Sequence, residues 1–200
     1  MNINITDYCT NGNSSVGTAE AIRNICSGDM LVFPKNEYHF FKDFSIHKVC
    51  HMTNTDSFKT PDKYFAILIE NKENITIDGC GSTFVIHGDM CAFAMLNCKN
   101  ITLKNFTIKY SSPTNYEMKV VKRSFNKITY KIPENSLFYV KDNKLVFFEQ
   151  SPFTKKNYYT YTANKDCACN VIHRGNEVFR TQFSPTRTAI KINRIDMNTV

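Results

Sequence analysis

The sequence contains no tryptophan, only 7 glycines and no apolar run near the ~18 residues of a membrane span. Its start, Met1-Asn2-Ile3-Asn4-Ile5-Thr6, has neither a charged opening nor an apolar stretch, so no signal peptide is visible. The 8 cysteines are irregularly spaced, and the closest pair, Cys167-Ala168-Cys169, lacks the CxxC spacing of zinc and redox sites. They read as small apolar fillers rather than as a disulfide or metal framework. No HExxH, phosphate-cradling glycine loop or Ser/His/Asp order occurs. Within these 200 residues no helical membrane span, zinc-protease motif or nucleotide-binding loop is therefore expected, and either the protein stays inside the cell or a leader lies outside this stretch.

What remains is rich in apolar and aromatic residues. Hydrophobic residues make up 42% of the 200, with 16 Phe and 10 Tyr, which marks a globular chain of one large or two small domains. The net charge is +7. Lys and Arg are scattered, and the densest pairs, Lys122-Arg123 and Lys155-Lys156, are short and isolated. A solvated basic surface is expected, not a nucleic-acid groove.

The chain repeats itself. Asn74-Ile75-Thr76-Ile77 recurs 26 residues later as Asn100-Ile101-Thr102-Leu103, and at the same offset Ala66 matches Ala92 and Asn71 matches Asn97. The apolar positions Ile67, Ile69 and Ile77 align with Phe93, Met95 and Leu103. A period of this length marks a solenoid, in which each repeat buries its apolar face on a neighbour. Each repeat divides into three short strands: 64–69, 75–78 and 83–86, then 92–96, 101–104 and 107–110. Asn- and Gly-containing corners join them, since both residues tolerate left-handed backbone. Asn97 over Asn71 and Asn100 over Asn74 are expected to form bonded ladders one inter-strand step apart, about 4.8 Å. The pattern is that of a parallel β-helix.

Residues 1–113 are read as an N-terminal cap and the first coils. The cap comprises a strand around Ile3 and Ile5, a loop at Gly12-Asn13-Ser14-Ser15 and a helix over 18–26 that Gly28 ends. Met30–Phe33 and Glu37–Phe40 are strands, and 43–63 is a loop leaving the coils with a strand near 48–52. At Pro113 the pattern stops. Residues 114–200 read as a small antiparallel β domain, a meander with strands at 118–121, 127–132 and 144–148 and a last strand at 188–192. The fold expected is therefore all-β. An incomplete solenoid leaves an open strand edge, so self-association through it is expected.

Glycoside hydrolysis needs two carboxylates, and a calcium-dependent lyase needs several acids and a base. The coils hold few: Glu70, Glu73, Asp78 and Asp89. Glu73 and Asp78 fall at corners, where turn acids are solvated. His87 and Asp89 lie two apart and would share a strand face, so they are candidate substrate-binding residues, together with Asp56. Asn54-Thr55-Asp56 with His87-Gly88 matches two fragments of the polygalacturonase signature, but its paired aspartates are missing.

The runs Phe33-Pro34-Lys35-Asn36-Glu37-Tyr38-His39-Phe40, Thr53-Asn54-Thr55-Asp56 and 74–108 resemble the α-1,3-galactosidases of glycoside hydrolase family 110. The resemblance implies a right-handed parallel β-helix, interrupted by an inserted β-barrel domain over 114–200. It implies inverting removal of terminal α-1,3-linked galactose from glycans, with no metal or organic cofactor, by a secreted or cell-envelope protein. The family's catalytic aspartates lie in later coils, and no residue here matches them. The 200 residues are thus expected to be an N-terminal portion, or a truncated relative, lacking the catalytic acids. Two positions depart from the family pattern: Asn36 stands where it prefers Gly, and Lys109 where it prefers an acid. The alternatives are a non-catalytic carbohydrate-binding or adhesive module and a calcium-dependent pectate-lyase-like enzyme.

Overall fold

The computed structural model describes residues 1–9, 12–51, 61–112, 118–124, 128–142, 144–163, 171–174 and 177–180. They are mostly strand, with a single α-helix among them. The chain divides into two units, Met1–Ser111 and Ser112–Val200.

The first unit is built from parallel passes. Strand β1 (Asn2–Asn4) leads through a 3₁₀ turn at Ile5–Asp7 to helix α1 (Ser15–Asn24). The first pass is β2 (Met30–Val32) and β3 (Glu37–Phe41). An excursion follows, with β4 (Ile46–Val49) paired antiparallel to β5 (Asp62–Glu70). The second pass is β5 and β6 (Glu73–His87), and the third is β7 (Cys91–Leu96) and β8 (Lys99–Tyr110). Long β6 pairs in parallel with β2 and β3 on one side and with β8 on the other, and β5 pairs in parallel with β7.

The register between the second and third passes is 26 residues from Glu73↔Lys99 to Asp78↔Lys104, then 24 from Ser82↔Phe106 onward. The corner at Asp78-Gly79-Cys80-Gly81-Ser82 is met by the shorter Lys104-Asn105-Phe106. Gly79 is required there: a Cβ would lie 2.5 Å from the Phe106 Cβ and 2.7 Å from the Asn105 carbonyl oxygen. Between the first and second passes the offset is 46, because the excursion lengthens the second circuit.

The asparagine ladders form as the sequence predicts. Asn71, Asn74, Asn97 and Asn100 all adopt left-handed backbone, with φ between 52° and 53°. Asn97 donates to the Asn71 Oδ1 at 3.3 Å, Asn100 donates to the Asn74 Oδ1 at 2.8 Å, and Asn74 donates to the Ser27 Oγ at 3.2 Å. The amide side chains thus satisfy one another from pass to pass at corners where the strand ladder is interrupted.

Apolar residues stack in the same columns. Leu31, Ile77 and Leu103 share one register. Phe33, Phe84 and Phe106 form an aromatic column with centroid spacings of 4.8 and 4.9 Å, and Phe93 lies 5.2 Å from Phe106. Burial falls along the stack. Leu31, Ile77 and Phe84 are fully buried, whereas Leu103 and Phe106 are half-buried and Ile108 and Tyr110 are exposed.

Helix α1 begins three residues before the expected 18–26 span and ends two before it. Ser15 belongs to the helix because its hydroxyl accepts the Phe41 N–H at 2.9 Å and so anchors the first turn to β3. At the other end Lys72 donates to the carbonyls of Arg23 and Ile25 at 2.9 and 2.8 Å, satisfying acceptors that the helix leaves open. Ala21, Ile22 and Ile25 join the core, as expected, although Ile25 is already extended.

In the second unit, β9 (Met118–Arg123), β10 (Ile128–Lys131), β14 (Val171–Arg174) and β15 (Glu177–Arg180) form one antiparallel sheet. A second contains β11 (Leu137–Lys141), β12 (Lys144–Gln150) and β13 (Asn157–Ala163). Met118, Tyr130, Phe138, Leu145 and Phe147 make a common core. The antiparallel reading is right, but the topology is not one meander, since β9 also pairs with the distant β15. The strand expected at 188–192 lies outside the described residues.

Ile77→Ala is expected to cost about 2–5 kcal/mol, whereas Leu103→Ala, in the same column but half-buried, costs less than half as much. Urea unfolding of the two variants checks the gradient.

Candidate functional site

Two of the four acids of the coils, Asp78 and Glu70, are committed to structure. The Asp78 carboxylate accepts the Cys80 backbone N–H at 2.9 Å and the Asn105 amide at 3.0 Å, and the Lys104 ammonium is 3.2 Å away. The Cys80 hydrogen bond, then that from Asn105, and finally Lys104 hold its carboxyl down to about 2. Such a group stays ionised and cannot donate a proton as a general acid near neutrality. Glu70 is ion-paired with Lys48. Glu73 is exposed in register with Lys99.

Of the residues singled out from the sequence, Asp56 lies outside the described residues. His87 is the last residue of β6. Asp89 is exposed on a bend, after Gly88 with φ of 92°. The expectation that His87 and Asp89 share a strand face is therefore corrected: the strand ends between them, and Gly88 turns the chain.

The structure brings His87 together with β3 instead. The His39 Nδ1 lies 2.9 Å from the His87 Nε2, a hydrogen bond in which one ring donates and the other accepts. Phe41 stacks on the His87 ring at 4.3 Å with planes 17° apart, and the Glu37 Oε1 is 3.4 Å from the His39 Nε2. Glu37, His39 and Phe41 alternate along β3 and so share one side of it. Register places Phe41 opposite His87. Burial, then His87, depress the His39 pKa, against an opposing pull from Glu37. His39 retains 34% side-chain exposure and Glu37 54%, so the group is open to solvent at one end.

Sequence reasoning missed this group. The alternation Glu37-Tyr38-His39-Phe40-Phe41 was visible, but the partner register was not, because the excursion shifts the first-to-second offset to 46. Among the described residues no cluster of three or more His, Cys, Asp or Glu is arranged to hold a metal ion, and no helix is long and apolar enough to cross a membrane.

These features define an all-β chain whose first unit stacks its passes in parallel, with a histidine–aromatic group on one strand pair and Asp78 bound into a corner. No protein-family model matches the chain. It is 36% identical over 121 residues to alpha-1,3-galactosidase B of Bacteroides thetaiotaomicron, covering 60% of this chain and 19% of that protein. It is 34% identical over 88 residues to alpha-1,3-galactosidase A of the same bacterium, covering 44% of this chain and 16% of that protein. Similarity to alpha-1,3-galactosidase A of Streptomyces avermitilis is 27% over 203 residues, covering 93% of this chain and 32% of that protein. The chain is thus a homologue of alpha-1,3-galactosidases over part of its length, as its resemblance to family 110 implied. The matched segments span less than a third of these relatives.

His39 is expected to titrate below the ordinary histidine value of 6.5, and Glu37→Gln is expected to lower it further. A depressed folded value means that the unfolded chain binds this proton more tightly. The His39 contribution to stability is therefore full above 6.5 and is lost as pH falls through the folded value. Imidazole NMR titration of the parent and the Glu37→Gln variant reads both effects.

Proposed function

We propose that these residues form the opening coils of a right-handed parallel β-helix in an α-1,3-galactosidase-like glycoside hydrolase. The observation that carries the reading is the identity to alpha-1,3-galactosidases, 36% over 121 residues, in a chain whose passes stack in parallel register. On this reading residues 1–113 are the cap and first coils, and 114–200 belong to an inserted β-barrel-like domain. The substrate is a glycan ending in α-1,3-linked galactose, and hydrolysis inverts the anomeric centre.

Inverting hydrolysis uses one carboxylic acid to protonate the leaving oxygen and one carboxylate to activate water, about 6.5–9.5 Å apart. Asp78 and Glu70 are tied to cations, and Asp78 also to donors at its corner. The chain's contribution is therefore scaffold and substrate positioning, with His87, Asp89 and Asp56 as candidate contacts, and the catalytic carboxylates belong to other coils. The same commitment of acids favours a second reading, a non-catalytic carbohydrate-binding or adhesive module. Exposed Met95, Ile108 and Tyr110 on the third pass support self-association through that edge.

The purified 200-residue chain, incubated with a trisaccharide ending in α-1,3-galactose, is expected to release no galactose above the protein-free control. Measurable release would overturn the non-catalytic assignment. Glycan-array binding of the same chain without turnover supports either reading of it as a recognition element.

A further inference from the structure

We propose that the outer face of the β11–β12–β13 sheet, in the second unit, is a stacking surface for a pyranose ring of a glycan. This site is separate from the candidate contacts on the coils. It rests on the galactosidase reading only for the choice of test sugar.

Alternation decides which residues face outward. Phe138, Leu145 and Phe147 belong to the core of the second unit, so their strand neighbours lie on the opposite face. There the register sets Leu137 beside Phe148 and Phe148 beside Tyr159, one residue from each strand. The row crosses the sheet in two steps of about 4.8 Å, each close to the length of one sugar residue. Its outer members are open, with Leu137 50% and Tyr159 55% exposed, and Phe148 between them is half-buried.

A second tyrosine completes the surface. Tyr139 packs with its ring centroid 5.9 Å from that of Phe148, and its phenol is hydrogen-bonded to the Tyr159 phenol. The two tyrosines start on the flanking strands, so this bond is made across β12. Val146, on the same outer face between them, is buried. The bond fixes both rings before a ligand arrives, which leaves less rotamer freedom to lose on binding.

Polar groups edge the row. Gln150 and Asn157 lie opposite each other on this face, two residues beyond Phe148 and Tyr159, and both are exposed. The Gln150 Nε2 donates to the Lys155 carbonyl at 3.3 Å, which leaves Oε1 as an acceptor. The Asn157 side chain has no hydrogen-bond partner among the described residues. A pyranose offers the complementary pattern, with C–H groups on its ring face and hydroxyls around its edge. The ring face stacks on Tyr159 and Phe148, and the hydroxyls meet the Asn157 amide and the Gln150 Oε1. A second copy of the chain fits less well, because a few side chains fall far short of the ~800 Å² per partner of a stable protein interface. A stacking face of this size gives affinity on the order of millimolar.

The isotope-labelled 200-residue chain is titrated with the trisaccharide ending in α-1,3-galactose and, separately, with maltose. Ring and side-chain amide resonances are followed by NMR. At millimolar sugar the resonances of Tyr159, Phe148 and the Asn157 amide are expected to move together. Tyr159→Ala should weaken the apparent Kd about fivefold or more, and Asn157→Ala about twofold, with urea midpoints close to that of the parent. A response of this face to maltose alone upholds the site and counts against the galactose reading. No movement at Tyr159 and Phe148 with either sugar overturns the proposal, as does an unchanged Kd in Tyr159→Ala. Concentration-dependent broadening of the same rings without sugar would assign the face to a second copy and overturn it equally. Should Tyr159→Ala not fold, the ring movements in the parent decide.

Discussion

The corner asparagines set the constraint on which the first unit depends. A parallel stack works only if each pass advances by one inter-strand step, about 4.8 Å, so the turns must be equivalent in consecutive passes. Asn71 and Asn74 mark the corner between β5 and β6, and Asn97 and Asn100 the equivalent corner between β7 and β8, all with the same left-handed backbone. That conformation is costly for most side chains and cheaper for asparagine. The side-chain amides bond across the 26-residue step, so the residue that makes the turn also fixes its alignment with the next. Apolar columns then follow from register. Leu31, Ile77 and Leu103 meet because the corners place them at the same point of successive passes.

The same architecture decides where chemistry is available. Charged groups on the coils are drawn into holding corners and edges together. Asp78 is bound between a backbone amide, Asn105 and Lys104, Lys72 closes the end of helix α1, and Glu70 pairs with Lys48. Groups of this kind define geometry, and Asp78, held ionised, is a poor proton donor near neutrality. The reactive potential lies where strands end. There His87 meets His39 beside Phe41, with partly exposed imidazoles and a depressed pKa at His39. The binding of Asp78 and Glu70 into the scaffold is the ground on which we propose a positioning role for this stretch.

Much of the first unit was legible in the sequence. The repeat of Asn-Ile-Thr-Ile/Leu predicts the parallel register and the asparagine ladders, because left-handed corners and buried columns constrain residue type strongly. The 26-to-24 change after Asp78 was harder to read, since it depends on how tightly Gly79 approaches Phe106, a three-dimensional fact. The bounds of α1 were misplaced because Ser15 owes its helical place to the backbone of Phe41, 26 residues away. The histidine pair was invisible for a related reason. The excursion after β3 breaks the period, so nothing local says that position 39 meets position 87. Asp89 illustrates the opposite error: spacing of two implies a shared face only inside a strand, and Gly88 ends the strand first.

The parallel stack in its two-part register is the claim from which the rest follows. The most direct measurement is the set of inter-strand backbone NOEs in the labelled chain. The account predicts parallel contacts joining Thr76 to Thr102 and Ile77 to Leu103, then Thr83 to Thr107 and Phe84 to Ile108, with the offset falling from 26 to 24 across Asp78 and Ser82. An antiparallel pattern between 73–87 and 99–110, or one unbroken offset through the corner, would contradict it.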